Sequence, residues 1–376
     1  MQILVDENIP LADEFFASLG KVTRKPGRNL TAADVKNMDA LIVRSVTQVN
    51  EALLAGSKVK FVGTCTIGTD HLDKLYLEQQ GIGFSSAPGC NANSVVEFVI
   101  SSLAALDVDW RGKTLGIIGC GNVGGHLYRR LQTLGAECFG YDPLIEQHRY
   151  DNLTTLDRVL DCDIICTHTP FTVDGPHPSQ HLLSYERLSQ IKPGAVLLNA
   201  GRGPTINNND LKRLLTERDD LKVVLDVWEP EPAMDCDLLT QVDLGSPHIA
   251  GYSLEGKMTG TSMIYQALCQ HFGLAEKVFI DDLLPQYQGD HTHLPEDSWQ
   301  GLRQLILGAY DVRGDDKRLR VAALQPEFIA ERFDQLRKSY PVRREFAAVP
   351  FTMADGLELD HELLTRLATL GFTLRA

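Results

Sequence analysis

Short apolar runs alternate with helically spaced apolar residues along the first hundred residues. Strand-like runs, ended by turn-forming residues, cover residues 2–7, 40–45, 60–65 and 81–89. Residues 10–20 and 69–81 instead place apolar residues about every third or fourth position and close on a glycine, which predicts helices. This alternation predicts a parallel sheet that is covered by helices.

The alternation is stronger in the next part of the chain. Residues 91–110 form a long amphipathic segment, which predicts a helix that leads into a second domain. Further strands are predicted at 114–119, 136–142, 162–169, 194–201 and 222–228, with a helix over 122–135. Residues 253–272 predict another long helix. The expected fold class is α/β, with two doubly wound parallel-sheet domains.

The sequence changes character after about residue 274. Residues 281–298 are rich in Pro, Asp and polar residues, which is typical of a linker or a loop-rich domain entry. Helical patterns then follow at 298–311, 326–340 and 361–371, between short apolar runs. The predicted domains are 1–92 together with 256–280, then 93–255, and a C-terminal α+β domain over 281–376.

Composition narrows the possible functions. The chain has 376 residues and a net charge of −14, which argues against a nucleic-acid surface because such a surface needs a basic footprint. No stretch reaches the length of a membrane helix, and the N-terminus lacks a secretory pattern, so we expect a cytoplasmic protein. The eight cysteines form no CxxC pair, so we expect buried thiols and no metal site.

A glycine-rich motif follows the first strand of the second domain. It reads Gly119-Cys120-Gly121-Asn122-Val123-Gly124 and opens a predicted helix. Gly119 suits a tight turn, Gly121 a close approach to a pyrophosphate, and Gly124 close packing of helix on strand. Asp142 ends the next strand, where its carboxylate favours the ribose hydroxyls of NAD over the 2′-phosphate of NADP. These features predict an NAD-binding, Rossmann-like domain; the alternative is a glycine turn that binds no ligand.

Three later segments carry candidate catalytic groups. Arg202 and Glu231 each follow a predicted strand, and His248 lies between a proline and a short apolar turn. A histidine suits removal of a hydroxyl proton, a carboxylate orients its ring, and an arginine pairs with a substrate carboxylate. Taken singly, each could be an ordinary loop residue. Their order behind the dinucleotide motif favours a catalytic set.

These motifs together resemble the D-isomer-specific 2-hydroxyacid dehydrogenase family over about residues 1–273. The resemblance rests on the glycine motif with Asp142, and on the segments NAGRG, DVWEPEP and SPHIAG. It implies that Arg202, Glu231 and His248 are the catalytic set. It also implies cofactor contacts by Gly119, Gly121, Asn122, Val123, Gly124, Asp142, Thr169, Ala200, Asp226 and Gly251.

Within the family, residues 62–73, residues 87–97 and the C-terminal extension resemble a branch that acts on a phosphorylated hydroxy acid and dimerises through its C-terminal domain. The best candidates to hold such a substrate are Arg44, Ser45, Thr66 and Tyr252. Arg343 and Arg344 are a further positive pair, either on the surface or reaching a partner subunit. A 3-phosphoglycerate-like substrate and an NAD-sensing, co-repressor-like binding protein remain as alternatives.

Overall fold

The computed structural model describes residues 1–373. The strands are β1 Gln2–Asp6, β2 Lys21–Lys25, β3 Ala40–Val43, β4 Phe61–Thr64, β5 Gly83–Ser85, β6 Thr114–Ile118, β7 Glu137–Tyr141, β8 Ile164–Thr167, β9 Val196–Asn199, β10 Lys222–Leu225, β11 Leu244–Gly245, β12 Thr292–Leu294 and β13 Phe351–Met353. The helices are α1 Ala12–Phe16, α2 Ala32–Val35, α3 Glu51–Leu54, α4 Lys74–Gln79, α5 Ala92–Ala105, α6 Asn122–Thr133, α7 Leu156–Leu160, α8 Tyr185–Ser189, α9 Asn208–Glu217, α10 Cys236–Gln241, α11 Leu254–Phe272, α12 Trp299–Ala309, α13 Arg313–Ala323, α14 Ile329–Lys338 and α15 His361–Leu370. None of these helices in residues 1–373 is both long and apolar enough to cross a membrane.

The chain divides into two compact units, residues 1–91 with 253–286 and residues 92–252 with 287–376. The first unit holds a parallel sheet in the order β2-β1-β3-β4-β5. Helix α11 packs on this sheet through Ile264, which lies against Gly63 of β4. It packs on α1 through Tyr265, whose ring centre lies 5.4 Å from that of Phe15. The predicted strand and helix alternation is confirmed here. Strand β2 was not predicted, because its sequence KVTRK is polar and only part-buried.

The second unit holds a six-stranded parallel sheet in the order β11-β10-β9-β8-β6-β7. The α/β prediction of two Rossmann-like parallel-sheet domains is confirmed. Strand β11 was not predicted because it is only two residues long. Cys162 was predicted inside a strand, but β8 begins at Ile164, so this detail was wrong.

Helix α5 explains why the C-terminal residues group with the second unit. Although its sequence predicts an amphipathic helix, nearly every residue from Ala92 to Ala104 is buried, including Glu97. A helix that is buried all round needs cover on every side. One apolar cluster joins α5 and the six-stranded sheet to Leu305, Phe346 and Leu367 of the chain from residue 287 onward, which we call the C-terminal segment. The segment's strands β12 and β13 pair in parallel.

Candidate active site

The three motif glycines have the environments that a dinucleotide loop requires. Gly119 has φ +89°, and a Cβ atom there would lie 2.9 Å from the backbone nitrogen of Thr169. A Cβ on Gly121 would meet nothing within 4 Å, so this side of the loop is open to a ligand. A Cβ on Gly124 would collide with the carbonyl oxygen of Gly119, so helix α6 packs directly on the loop after β6. These positions fit a bound pyrophosphate.

Helix α6 begins at Asn122, and its N-cap Gly121 offers no side-chain cap. Asn122 is exposed and Val123 half-buried, so the first turn presents N–H groups to solvent and to an anion. Asp142 follows β7; its Oδ2 accepts from the N–H of Cys120 at 2.9 Å and its Oδ1 from the N–H of Leu144 at 3.1 Å. Each oxygen keeps acceptor capacity, which suits ribose hydroxyls.

The three candidate catalytic residues follow three neighbouring strands. Arg202 comes after β9, Glu231 after β10 and His248 after β11, and these strands are adjacent in the sheet. Because parallel strands end at the same edge, the three loops lie side by side at the carboxyl edge, where ligands bind in open α/β sheets. The glycine loop follows β6 at the same edge.

His248 and Glu231 are in direct contact. The Nδ1 atom of His248 lies 2.8 Å from the Oε2 atom of Glu231, and the N–H of Trp228 donates to Oε1 at 2.9 Å. Burial pushes the pKa of Glu231 up, but the charge and hydrogen bond of His248, the Trp228 N–H and the charge of Arg337 together lower it below its ordinary value. Glu231 is therefore held as a carboxylate beside the imidazole.

A buried carboxylate fixes the loop that carries His248. The Oδ1 atom of Asp226 accepts from Ser246 Oγ at 2.6 Å and from the N–H of Ile249 at 2.8 Å, and its Oδ2 accepts from the N–H of Ala250 at 3.0 Å. These bonds hold His248 in the left-handed region, at φ +56°, which a non-glycine residue rarely adopts. The sequence had suggested only a cofactor contact for Asp226, which stays a prediction.

The loop that carries Arg202 is held by buried Asn199. Asn199 Oδ1 accepts from Thr167 Oγ1 at 2.7 Å and from the N–H of Gly201 at 3.1 Å, while its Nδ2 donates to the Arg202 carbonyl at 3.1 Å. The half-buried Arg202 guanidinium donates to the Gly201 carbonyl at 2.9 Å. A Cβ at Gly203 would collide with the carbonyl oxygen of Trp228, so the Arg202 and Glu231 loops pack backbone on backbone.

The remaining predicted nicotinamide-end residues lie on loops at the same edge of the sheet. Thr169 follows β8 with its Oγ1 3.3 Å from Thr205 Oγ1, Ala200 lies just before Arg202, and Gly251 lies three residues after His248. The ring of Tyr252 meets that of Tyr340 nearly edge-on, with centres 5.8 Å apart.

The predicted substrate residues of the first unit cluster after β3 and β4. Arg44 Nε lies 3.2 Å from Oδ1 of the fully buried Asp6, and Ser45 is exposed. Thr66 Oγ1 lies 2.7 Å from Thr64 Oγ1 and donates to the carbonyl of Gly68 at 3.2 Å. The residues that follow β3 and β4, two adjacent parallel strands, therefore place hydroxyls and one guanidinium at the same edge of this sheet.

Sequence reasoning missed two features near the catalytic loops. The first is a second histidine–carboxylate pair: His181 Nε2 lies 2.8 Å from Oε1 of Glu229, which is two residues from Glu231.

The second feature is that Arg337 and Arg343 of the C-terminal segment also reach these loops. Arg343, left open between the surface and a partner subunit, is 6% exposed and buried within its own chain. Arg344 lies 6.0 Å from the ring centre of Tyr287. No local pattern predicts these contacts, because the partners are distant in sequence.

Residues 96–250 match the NAD-binding domain of the D-isomer specific 2-hydroxyacid dehydrogenases, and residues 283–371 match a domain of unknown function. The chain belongs to the D-isomer specific 2-hydroxyacid dehydrogenase family. Its relatives include the erythronate-4-phosphate dehydrogenase of Cellvibrio japonicus, 51% identical over 99% of both chains. The protein of that name from Teredinibacter turnerae is 48% identical over 100% of this chain and 99% of its own. The predicted family and NAD cofactor are confirmed.

Solved structures support the fold. The NAD⁺-bound 3-phosphoglycerate dehydrogenase of Entamoeba histolytica matches with a TM-score of 0.63 and 24% identity, over 73% of this chain and 95% of its own. The D-lactate dehydrogenase of Aquifex aeolicus matches with a TM-score of 0.61 and 21% identity, over 73% and 96% of the two chains.

Proposed function

We propose that this chain uses NAD to oxidise 4-phospho-D-erythronate to 3-hydroxy-2-oxo-4-phosphobutanoate, in the biosynthesis of pyridoxal 5′-phosphate. The observation that carries the proposal is the His248–Glu231 pair, 2.8 Å apart, at the sheet edge that also bears the glycine loop. The substrate comes from the two relatives described above, which are similar over nearly the whole chain.

The catalytic roles follow from the chemistry of each group. Bound NAD would supply the acceptor for the hydride from C2. His248 takes the proton from the C2 hydroxyl, and Glu231 stabilises the resulting imidazolium through the Nδ1 contact. Arg202 pairs with the substrate carboxylate and polarises the reacting oxygen. These are proposed roles, supported by the positions of the three loops.

The proposed cofactor contacts come from the loops at the same edge. Backbone N–H groups at Gly121, Asn122 and Val123 would hold the pyrophosphate, and Asp142 the adenosine ribose. The residues proposed at the nicotinamide end are Thr169, Ala200, Asp226 and Gly251. The open space beside Gly121 supports this assignment.

The phosphate end of the substrate is proposed to contact Arg44, Ser45 and Thr66, with Tyr252 as an additional phenolic donor. Hydroxyls and a guanidinium suit a phosphate.

We also propose a cytoplasmic homodimer formed through the C-terminal segment. Val321, Leu324 and Phe328 support this, because they are large apolar side chains that lie exposed on that segment. Sedimentation velocity should therefore give the mass of two chains.

The enzyme assay compares 4-phosphoerythronate, unphosphorylated erythronate and 3-phosphoglycerate, with NADH formation followed by absorbance. In a parallel series an added 2-oxo acid reoxidises the NADH, and the 2-hydroxy acid formed from that acceptor is measured instead. We expect the highest kcat/KM with 4-phosphoerythronate. A higher kcat/KM with 3-phosphoglycerate would instead favour the alternative of a 3-phosphoglycerate-like substrate. NAD binding without turnover of any 2-hydroxy acid would instead favour the co-repressor-like function.

A further inference from the structure

The C-terminal segment contacts the catalytic loop of its own chain through Arg343. This buried side chain donates from Nη2 to the carbonyl oxygens of Ala250 and Ser94, both at 2.8 Å. Its guanidinium carbon also lies 4.3 Å from the ring centre of Tyr310. Because Ala250 is two residues from His248, a charged group of the C-terminal segment holds the backbone of the proposed proton acceptor.

The backbone N–H and C=O groups of Ala250 are both hydrogen-bonded to charged side chains. Asp226 accepts from its N–H at 3.0 Å, and Arg343 donates to its C=O at 2.8 Å. Both bonds join a charged group to a neutral one, and such bonds are stronger than neutral pairs. The loop therefore depends on one carboxylate from the parallel sheet and one guanidinium from the C-terminal segment.

A second arginine of the segment acts at the far end of the same loop. Arg337, near the end of α14, places its guanidinium carbon 5.7 Å from the ring centre of Tyr252, and its Nε is buried without a hydrogen-bond partner. Tyr252 in turn lies edge-on to Tyr340, whose hydroxyl donates to Asp315 at 3.1 Å. The charge of Arg337 also reaches Glu231.

We propose that Arg343 and Arg337 are positioning residues that hold the loop of residues 248–252 in its catalytic geometry, so the C-terminal segment completes the active site of its own chain. This role rests on the proposed function and is separate from dimerisation. A guanidinium suits this role of Arg343, because its planar group lies over an aromatic ring while one of its nitrogens, Nη2, donates to two carbonyls.

The charged groups around this loop determine how the pH dependence of kcat/KM should change when Arg337 is replaced. The charge of Arg337 acts on Glu231, Tyr252 and Asp334. Glu231 in turn contacts His248, and Tyr252 contacts Tyr340. Removing the positive charge of Arg337 leaves the negative charge of Glu231 more effective at His248. The proton that limits kcat/KM on the acid side is then held more tightly, and the apparent pKa of that limb rises.

The test compares R337M and R337K with K338M in the full-length chain. Lys338 is the exposed neighbour on α14, so K338M removes the same charge without touching the loop. We expect R337M to lower kcat about tenfold and raise the acid-limb pKa, with KM for NAD changed less than about twofold. R337K should restore both values. A kcat and pH profile of R337M equal to those of K338M would overturn the proposal.

A variant of Arg343 allows a test that does not depend on enzyme turnover. In R343K the charge remains, but an ammonium on a different stem replaces the planar guanidinium whose Nη2 binds both carbonyls and which lies over the Tyr310 ring. We expect amide hydrogen exchange of residues 249–252 to rise about tenfold, while exchange in β8 stays as in the parent chain. Unchanged exchange at 249–252 would contradict the proposal. If the parent chain turns over no hydroxy acid but the exchange rises, the proposed function fails and this inference stands.

Discussion

Asp226 holds Ala250 by a hydrogen bond of 3.0 Å from the backbone N–H to Oδ2, and the same carboxylate also binds Ile249 and Ser246. D226N would replace one carboxylate oxygen by an NH₂ group, which would face the hydrogen-bond donors that now bind this carboxylate. We expect kcat to fall about tenfold or more because His248 is displaced, and the free energy of unfolding to fall by about 1–3 kcal/mol. Steady-state kinetics and urea unfolding measure the two effects. The exposed Asp219 gives the matched control D219N, which should behave as the parent.

His248 is proposed to take the hydroxyl proton. H248N keeps a polar side chain but removes the base, so kcat should fall at least about a hundredfold. NADH binding, followed by its fluorescence, should stay within about twofold of the parent because the ring is not proposed to bind cofactor. The exposed His148 supplies the control H148N. Near-normal turnover by H248N would refute the assignment.

Glu231 sets the charge beside His248. E231Q removes a carboxylate whose pKa lies below its ordinary value, so the imidazolium loses its stabilising partner. We expect the acid limb of kcat/KM to move to lower pH and kcat to fall about tenfold. E229Q is the comparison variant, because Glu229 pairs with His181 instead. An acid limb that moves equally in both variants would speak against a special role for Glu231.

Asp142 is expected to exclude NADP. D142A removes the carboxylate that would repel a 2′-phosphate and bond the ribose hydroxyls. KM for NAD should rise about tenfold, while KM for NADP should fall or stay level. The ratio of kcat/KM for the two cofactors is the measurement. An unchanged ratio would place the discrimination elsewhere.

Glu97 predicts how stability depends on pH. Burial, then the charge of Glu345, raise its pKa from 4.5 to about 8 in the folded chain. Folding then takes up a proton at this site, so its contribution falls as pH rises from about 4.5 to about 8. E97Q should leave Tm unchanged near pH 5 and raise it by about 2 °C or more near pH 8.5. E137Q, at an exposed position, should show no such divergence.

The parallel sheets and the catalytic loops could be predicted from the sequence. Runs such as ALIV and VLLN are buried along their whole length, and continuous apolar runs of this kind are typical of parallel strands. Arg202 and Glu231 were found because strand ends of parallel sheets are where ligands bind. The glycine motif was found because its spacing reports backbone geometry directly.

Other features depend on contacts that no local pattern records. Helix α13 was not predicted, because RGDDKRLRVAA is strongly charged and buries mainly Leu319 and Ala322. The support of Ala250 by Arg343 spans 93 residues. Asp226 looked like a ligand-binding residue, and only the fold shows that its oxygens bind the His248 loop. Tertiary partners of buried polar groups are set by the packing of the whole unit.

The missing side chain at Gly203 has a consequence for engineering. Because its backbone lies against the carbonyl of Trp228, the segments that carry Arg202 and Glu231 fit each other as a matched pair. Transplanting either segment alone from a homologue would replace one half of a mutually shaped surface. Attempts to redirect substrate choice by recombination should therefore exchange residues 199–205 and 226–232 together, as a single cassette.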